Sequence, residues 1–413
     1  MLQKVRFGRS DKVVFHGTVK SGLRVLFGQM APSVSSASLA LTIGVGGYGR
    51  TFTIDKVNIP SGTPGLLLEA IRAKHPQKSD VLFTSEDIVF STRVEESYCV
   101  LKVDAPASKI LDCVEPLLAL TDELAFSSDD VENLKPAYLK KIREEEEKPA
   151  NRVRPYLYIS SPMKLNPYGN EKSLKAIHFS TLKKFFQEAY VPTDMTLCLV
   201  GNVDVNAFEK AASSHFFKNN APTGKVEVKP FKENYAQVVQ TYVRSSKPGE
   251  FIYAVKLPLR KSLVESCGED IFSYYEILSA LLFSQDFKAN AAIREDVLSL
   301  GEGGVKQGGE DAFFYQVVET GKKEELEDRI SAFLSDPKSL KFFDFRSLTR
   351  AYMNKLVKEV YLKDSSKYCD RLVEALANDF IDEAVSEQVT HLKRRKLQNF
   401  LLSFASFPKV IVD

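Results

Sequence analysis

The sequence holds no Cys-x-x-Cys pair. Cys99, Cys113, Cys198, Cys267 and Cys369 are odd in number and widely spaced, which argues against a zinc ribbon or a disulfide framework and for reduced thiols. Clustered histidine is missing as well: His16, His75, His178, His215 and His391 stand apart, with none at ligand spacing from another and no cysteine close by. Neither charge is in excess, since 56 basic residues face 54 acidic ones. That balance exerts no pull toward nucleic acid or an anionic membrane. No run of 18 apolar residues occurs, so no membrane span is expected. The opening MLQKVRFGRSDKVVFHG lacks the apolar core of a secretory signal. It is basic up to Asp11, as transit peptides are, but passes at once into strand-like Val13-Val14-Phe15, and it reads as a mature N-terminus of a cytoplasmic protein in a reducing compartment. No Gly-x-Ser-x-Gly elbow is present, and no Cys or Ser is paired locally with a His. Gly44, Gly46, Gly47 and Gly49 lack the Lys-Ser/Thr of a phosphate loop and precede a strand or loop rather than a helix. No cofactor is expected.

The chain is long enough for two domains, because 413 residues exceed what one ordinary core serves. Its most informative stretch is Asn166 to Asp204. A turn, Asn166-Pro167-Tyr168-Gly169, leads to a helix signalled by Leu182, Phe185, Phe186 and Tyr190 at three- and four-residue spacing. Pro192 stops that helix, and the apolar run Thr196 to Val200 is a buried strand ending at Gly201. The same helix, proline and strand recur at the end of the chain, in Lys393 to Leu402 and Phe407-Pro408 to Val412. This recurrence at half the chain length implies two like-folded halves. Lys218 to Lys232, rich in Asn, Pro, Gly and Lys, reads as the linker. The expected division is an N-terminal domain over 1–220, a linker over 221–235 and a related C-terminal domain over 236–413. Strands are expected at Leu23 to Phe27, Ser38 to Val45, Gln237 to Val243, Glu250 to Leu257 and Ala312 to Val318, and helices at Leu66 to Ile71, Val131 to Lys148, Ala207 to Phe217 and Ile271 to Phe287.

The Asn166 to Asp204 order, with Ser21-Gly-Leu-Arg-Val25 at the expected distance before it, resembles the pitrilysin and insulysin family of zinc metallopeptidases, which includes the mitochondrial processing peptidase. The resemblance implies an α+β fold of two related halves, each an antiparallel sheet with helices packed on one side. It also implies where the metal site falls. In active members the helix opening here with Leu66-Leu67-Leu68-Glu69-Ala70-Ile71 carries His-x-x-Glu-His, two histidines on one face for zinc and a glutamate as base on the metal-bound water. Aligned from Pro60, the motif positions fall on Gly65, Leu68 and Glu69; aligned on the acid, they fall on Leu66, Glu69 and Ala70. Both registers leave no imidazole. The third ligand, a glutamate on a later helix, corresponds to Lys141 or a neighbour, Lys140 or Ile142, counting back from Pro149. A lysine there repels a metal cation. The surrounding charges read as an exposed face with i,i+4 pairs, Lys140 with Glu144 and Lys141 with Glu145.

Arg294-Glu295 resembles the start of the family's Arg-Glu-x-Gly-Leu-x-Tyr segment, although Val297 and Leu300 stand at its Gly and Tyr positions. After it come Gly301, Gly303, Gly304, Gly308 and Gly309, five glycines in nine residues. Two readings of this run stay open: a flexible hairpin connection, or a mobile loop whose backbone amides approach a peptide. The resemblance implies a catalytically silent homologue with no bound metal, the non-catalytic subunit of a heterodimeric peptidase that helps form a chamber and bind a peptide or unfolded protein beside an active homologous chain. A stand-alone binding or scaffold protein is the alternative from another class, and a peptidase with an unrecognised site using Glu69 is the third.

Overall fold

In the computed structural model, the described residues are 2–6, 13–47, 52–54, 56–73, 80–158, 162–219, 226–228, 238–245, 247–258, 277–278, 281–283, 290–308, 311–336, 345–350, 363–377, 393–405 and 409–412. Helices and sheets both contribute, as the α+β reading requires. Residues 1–145, 166–229 and 357–382 form one compact unit, and residues 146–165, 230–356 and 383–413 form the other. Compared with the continuous halves expected from sequence, two segments change sides: 146–165 and 357–382.

In the first unit, strands β1 (Gln3–Arg6), β2 (Val13–Thr18), β3 (Arg24–Gln29), β4 (Ser36–Ile43), β7 (Val89–Val94), β8 (Cys99–Pro106) and β9 (Met195–Gly201) form one sheet in the order β1-β2-β3-β9-β4-β8-β7. The strand expected from Thr196 to Val200 is β9, and every one of its residues is buried. It runs parallel to β3, with Leu26 beside Cys198, and antiparallel to β4, with Leu41 beside Leu197. The register sorts the side chains onto two unlike faces, because partners directly opposite one another share a face. Leu39, Leu41, Leu197, Leu199, Leu101 and Val103 occupy one face, while Ala40, Cys198 and Lys102 occupy the other.

Helices α1 (Thr63–Ala73), α2 (Asp80–Thr84), α3 (Val114–Ala119), α4 (Ser128–Glu146), α6 (Glu171–Lys175), α7 (Phe179–Ala189) and α8 (Val205–Ser214) also build this unit, and α5 (Pro149–Leu157) belongs to the second. A smaller sheet joins β10 (Glu227–Val228), β5 (Phe52–Ile54) and β6 (Val57–Asn58), so part of the expected linker is a strand of the first unit. The Phe27 ring meets Phe208 of α8 at 5.9 Å between centroids, on the leucine face. The next residue points the other way: a side chain at Gly28 would run into Tyr368 and Leu372.

The second unit has a sheet of β11 (Val238–Arg244), β12 (Phe251–Pro258), β13 (Val297–Gly308), β14 (Asp311–Thr320) and β15 (Lys409–Val412), ordered β13-β14-β12-β11-β15. Its helices include α9 (Ala291–Arg294), α10 (Lys323–Ser335) and α12 (Arg394–Ala405), while α11 (Ser365–Ala377) belongs to the first unit. Each half contains a helix followed by a strand that pairs parallel to an early strand of that half, β9 with β3 and β15 with β11. The helix expected over Ile271 to Phe287 lies mostly outside the described residues, with 277–278 and 281–283 helical.

Helix α11 lies on β4 and β9, and its residues Tyr368, Cys369, Leu372 and Val373 are buried at helical spacing against the smaller-residue face. Lys102, almost fully buried on β8, donates to the Ser366 carbonyl at 3.0 Å, to Ser366 Oγ at 2.7 Å and to Asp370 at 2.7 Å. Arg93 donates to the other Asp370 oxygen at 2.8 Å. These bonds satisfy a buried ammonium that would otherwise cost several kcal/mol.

Candidate functional site

Gly65, Leu66, Leu68, Glu69 and Ala70 all lie on α1, and Lys141 lies on α4. Helix α1 follows the Pro60-Ser61-Gly62 turn, in which Gly62 has φ +84 and its Cα faces the Tyr168 carbonyl too closely for a side chain. Leu66, Leu68 and Ala70 are buried in the core. Glu69 alone among these positions offers a metal donor, and it is engaged: Lys141 Nζ donates to Glu69 Oε1, with the two residues 72 apart in sequence. The second Glu69 oxygen is 3.9 Å from Arg72. Structure and sequence differ here, since Lys140 does pair with Glu144 at 3.7 Å whereas Lys141 reaches across to α1 instead of along its own helix.

Tyr138, one turn before Lys141, is 2% exposed and points its hydroxyl at the same place. It donates to the Tyr168 carbonyl at 3.0 Å, with the Gly62 carbonyl at 3.4 Å. A Cβ built on Gly65 would collide with that hydroxyl. Tyr168 comes from the turn singled out in the sequence, which is closed by Asn166: its side chain accepts from the Tyr168 N–H at 3.0 Å and its carbonyl from Gly169 at 2.9 Å. The Tyr168 hydroxyl accepts from the Val94 N–H at 3.3 Å, and its ring lies 5.1 Å from Lys141 Nζ. Burial raises the titration of both phenols well above the usual tyrosine range, so both stay neutral.

A zinc ion needs three protein donors. Gly65, Leu66, Leu68 and Ala70 supply no side-chain donor, Lys141 brings a positive charge, and Glu69 is bound to that charge. The residues present do not fit the metal. Among the described residues no group of three or more His, Cys, Asp or Glu side chains could hold a metal ion.

Sequence residues 176–265 match the profile described as the peptidase M16 inactive domain. A putative M16-like peptidase from Alicyclobacillus acidocaldarius superposes with a TM-score of 0.76 at 13% identity, covering 95% of this chain and 96% of its own. The chain has the fold of M16-like peptidases. A protease from Helicobacter pylori gives 0.73 at 15% identity over 94% of this chain and 96% of its own. Pitrilysin gives 0.68 at 12% identity over 99% of this chain and 46% of its own. No curated protein matches the sequence. The structural likenesses, at these identities, establish the fold of M16 peptidases and leave the activity to be argued from the site.

The second group of positions lies in the other unit of the chain. Arg294 ends α9 and donates to Asn290 at 2.8 Å, and Asn290, fully buried, donates to the Leu281 carbonyl at 2.9 Å. Asp296, also buried, pairs with Lys322 at 3.1 Å and Arg329 at 2.9 Å, fixing the entry to β13. The glycine run is not a loop. Gly301, Gly303, Gly304 and Gly308 belong to β13, with Gly304 beside Tyr315 and Gly308 beside Asp311, while Gly309 lies outside the described residues. Cross-strand pairing with the aromatic-rich β14 outweighs the weak strand preference of glycine. A register shift between Leu300 and Gly303 marks a bulge, where the Gln316 side chain occupies the space a Cβ on Gly303 would need and donates to the Gly301 carbonyl at 3.3 Å.

One titratable cluster, centred on buried His215, escaped the sequence reading. His215 Nδ1 is 2.8 Å from Glu115, and its Nε2 is 3.2 Å from Asp122. Burial works against its charge, but the hydrogen bonds with Asp122 and Glu115 prevail and raise its titration above the ordinary value. Both ring nitrogens face carboxylates, and only the imidazolium has two N–H donors for them.

Proposed function

We propose that this chain is the non-catalytic subunit of an M16-type peptidase, pairing with a homologous chain that carries an intact His-x-x-Glu-His motif and helping to enclose and bind an extended peptide or unfolded protein. The observation that carries the reading is the replacement of a metal-ligand set by the Glu69–Lys141 pair inside an otherwise complete M16-like fold. A chain that keeps both halves without a metal site retains what a chamber wall needs and lacks what hydrolysis needs. Arg294 and the Gly301 to Gly308 edge of β13 are the proposed peptide contacts, because β13 ends its sheet among the described residues and Leu298 and Leu300 on it are exposed. An edge strand presents backbone groups that an extended chain can pair with. A cytoplasmic, reducing location is part of the proposal, supported by Cys99, Cys113, Cys198 and Cys369 being free thiols buried in the fold.

The test is to mix the chain with an intact homologue from the same source and follow association by sedimentation and turnover by peptide cleavage. A one-to-one complex that cleaves faster than the homologue alone is expected. No association at micromolar concentration with an unchanged rate contradicts it and favours a stand-alone binding protein.

A further inference from the structure

In a metal site the cation has two tasks, chemistry and the joining of the helices that supply its ligands. At the α1–α4 contact the second task has a candidate within the chain itself. The Lys141 ammonium meets the Glu69 carboxylate, with Glu69 16% and Lys141 27% exposed, so both charges are largely withdrawn from water. Such a pair persists only where each charge compensates the other. The Tyr168 ring lies 5.1 Å from the ammonium, and the Tyr138 hydroxyl stands directly against Gly65. Lys141 also forgoes the easy position along its own helix face, which shows that the tertiary partner wins over the local one.

We infer that Lys141 is a chain-borne cation doing the structural work of a metal, joining α1 to α4 through Glu69, and that the packed tyrosines close this joint to divalent ions. An imidazole at position 65 has no room beside the Tyr138 hydroxyl, and positions 66 and 70 face the core. Restoring ligands on α1 alone therefore does not reopen the site. The inference concerns stability and metal access in the isolated chain, so it stands or falls separately from the proposed partner.

The experiment compares thermal unfolding of the full chain with K141M, K141E and the charge-swapped E69K/K141E, each with added chelator or zinc chloride, and measures retained zinc by elemental analysis. Unfolding of the wild-type chain is expected to be indifferent to chelator and zinc. K141M and K141E are expected to raise the unfolding equilibrium constant by about tenfold or more, since each leaves a largely buried carboxylate with only the distant, mostly exposed Arg72 as a charged partner. The swap recovers most of that loss, and zinc does not rescue K141E. Three results overturn the inference. K141M as stable as wild type, or a swap no better than K141E, removes the joint. Zinc that stabilises K141E and is retained at about one ion per chain shows that the site is still open to metal.

Discussion

At Tyr138 one hydroxyl ties three segments: helix α4, which carries it, the turn before α1 through Gly62, and the Asn166 turn through Tyr168. Gly62 keeps a second partner in the Leu66 N–H, so Tyr138→Phe strands chiefly the Tyr168 carbonyl. The expected cost is about 1–2 kcal/mol, measured by denaturant unfolding, with little change in overall structure. His215 gives a prediction in pH. Its folded titration lies above the ordinary value of 6.5, so the stability it adds is complete below that value and fades as pH rises through the higher folded one. His215→Gln should therefore unfold more readily than wild type near about pH 6 and converge with it in alkaline solution. A variant equally destabilised at both ends of that range contradicts the charged pairing with Glu115 and Asp122. The sequence made part of this visible. Glu69 as the single acid on α1 and Lys141 at the ligand position of α4 were both identified, and their opposite charges were the available signal for the pair. An i,i+4 partner in Glu145 masks that signal with a local explanation, and contact across 72 residues has no local signature.

Elements were legible where one periodicity ruled. Helix α7 with buried Leu182, Phe185 and Phe186, and the wholly buried strand β9, fall where spacing and a proline stop placed them. The glycine run was not, because composition argues for a turn while the pairing of β13 with β14 argues for a strand, and tertiary pairing prevailed. Gly303→Val tests that assignment: a branched side chain must displace buried Gln316, and a loss of about 1–3 kcal/mol is expected. A mobile loop would accept the valine without cost. Helix α11 supplies a second test at this scale. Lys102→Met removes the donor to Ser366 and leaves Asp370 with Arg93 alone, so amide exchange is expected to accelerate across residues 365–377 while the leucine face of the sheet keeps its protection. Uniform protection in both places would show that apolar packing by Tyr368, Leu372 and Val373 holds the helix unaided.

For the whole molecule, the repeated helix, proline and strand announced two related halves, and each half does contain a parallel strand pair of this kind. The exchange of 146–165 and 357–382 between units was not legible, since hydrophobic spacing says that α11 needs a partner and is silent about which one. The fold is that of M16 peptidases, while the positions that the family resemblance assigns to metal ligands hold glycine, leucine, alanine and a lysine-bound glutamate. The central claim is catalytic silence, and its most direct measurement joins zinc content with peptidase activity on the purified chain. The account predicts no stoichiometric zinc and no cleavage of an unfolded peptide. One tightly held zinc per chain, with cleavage lost to a chelator and regained on adding metal, would contradict it.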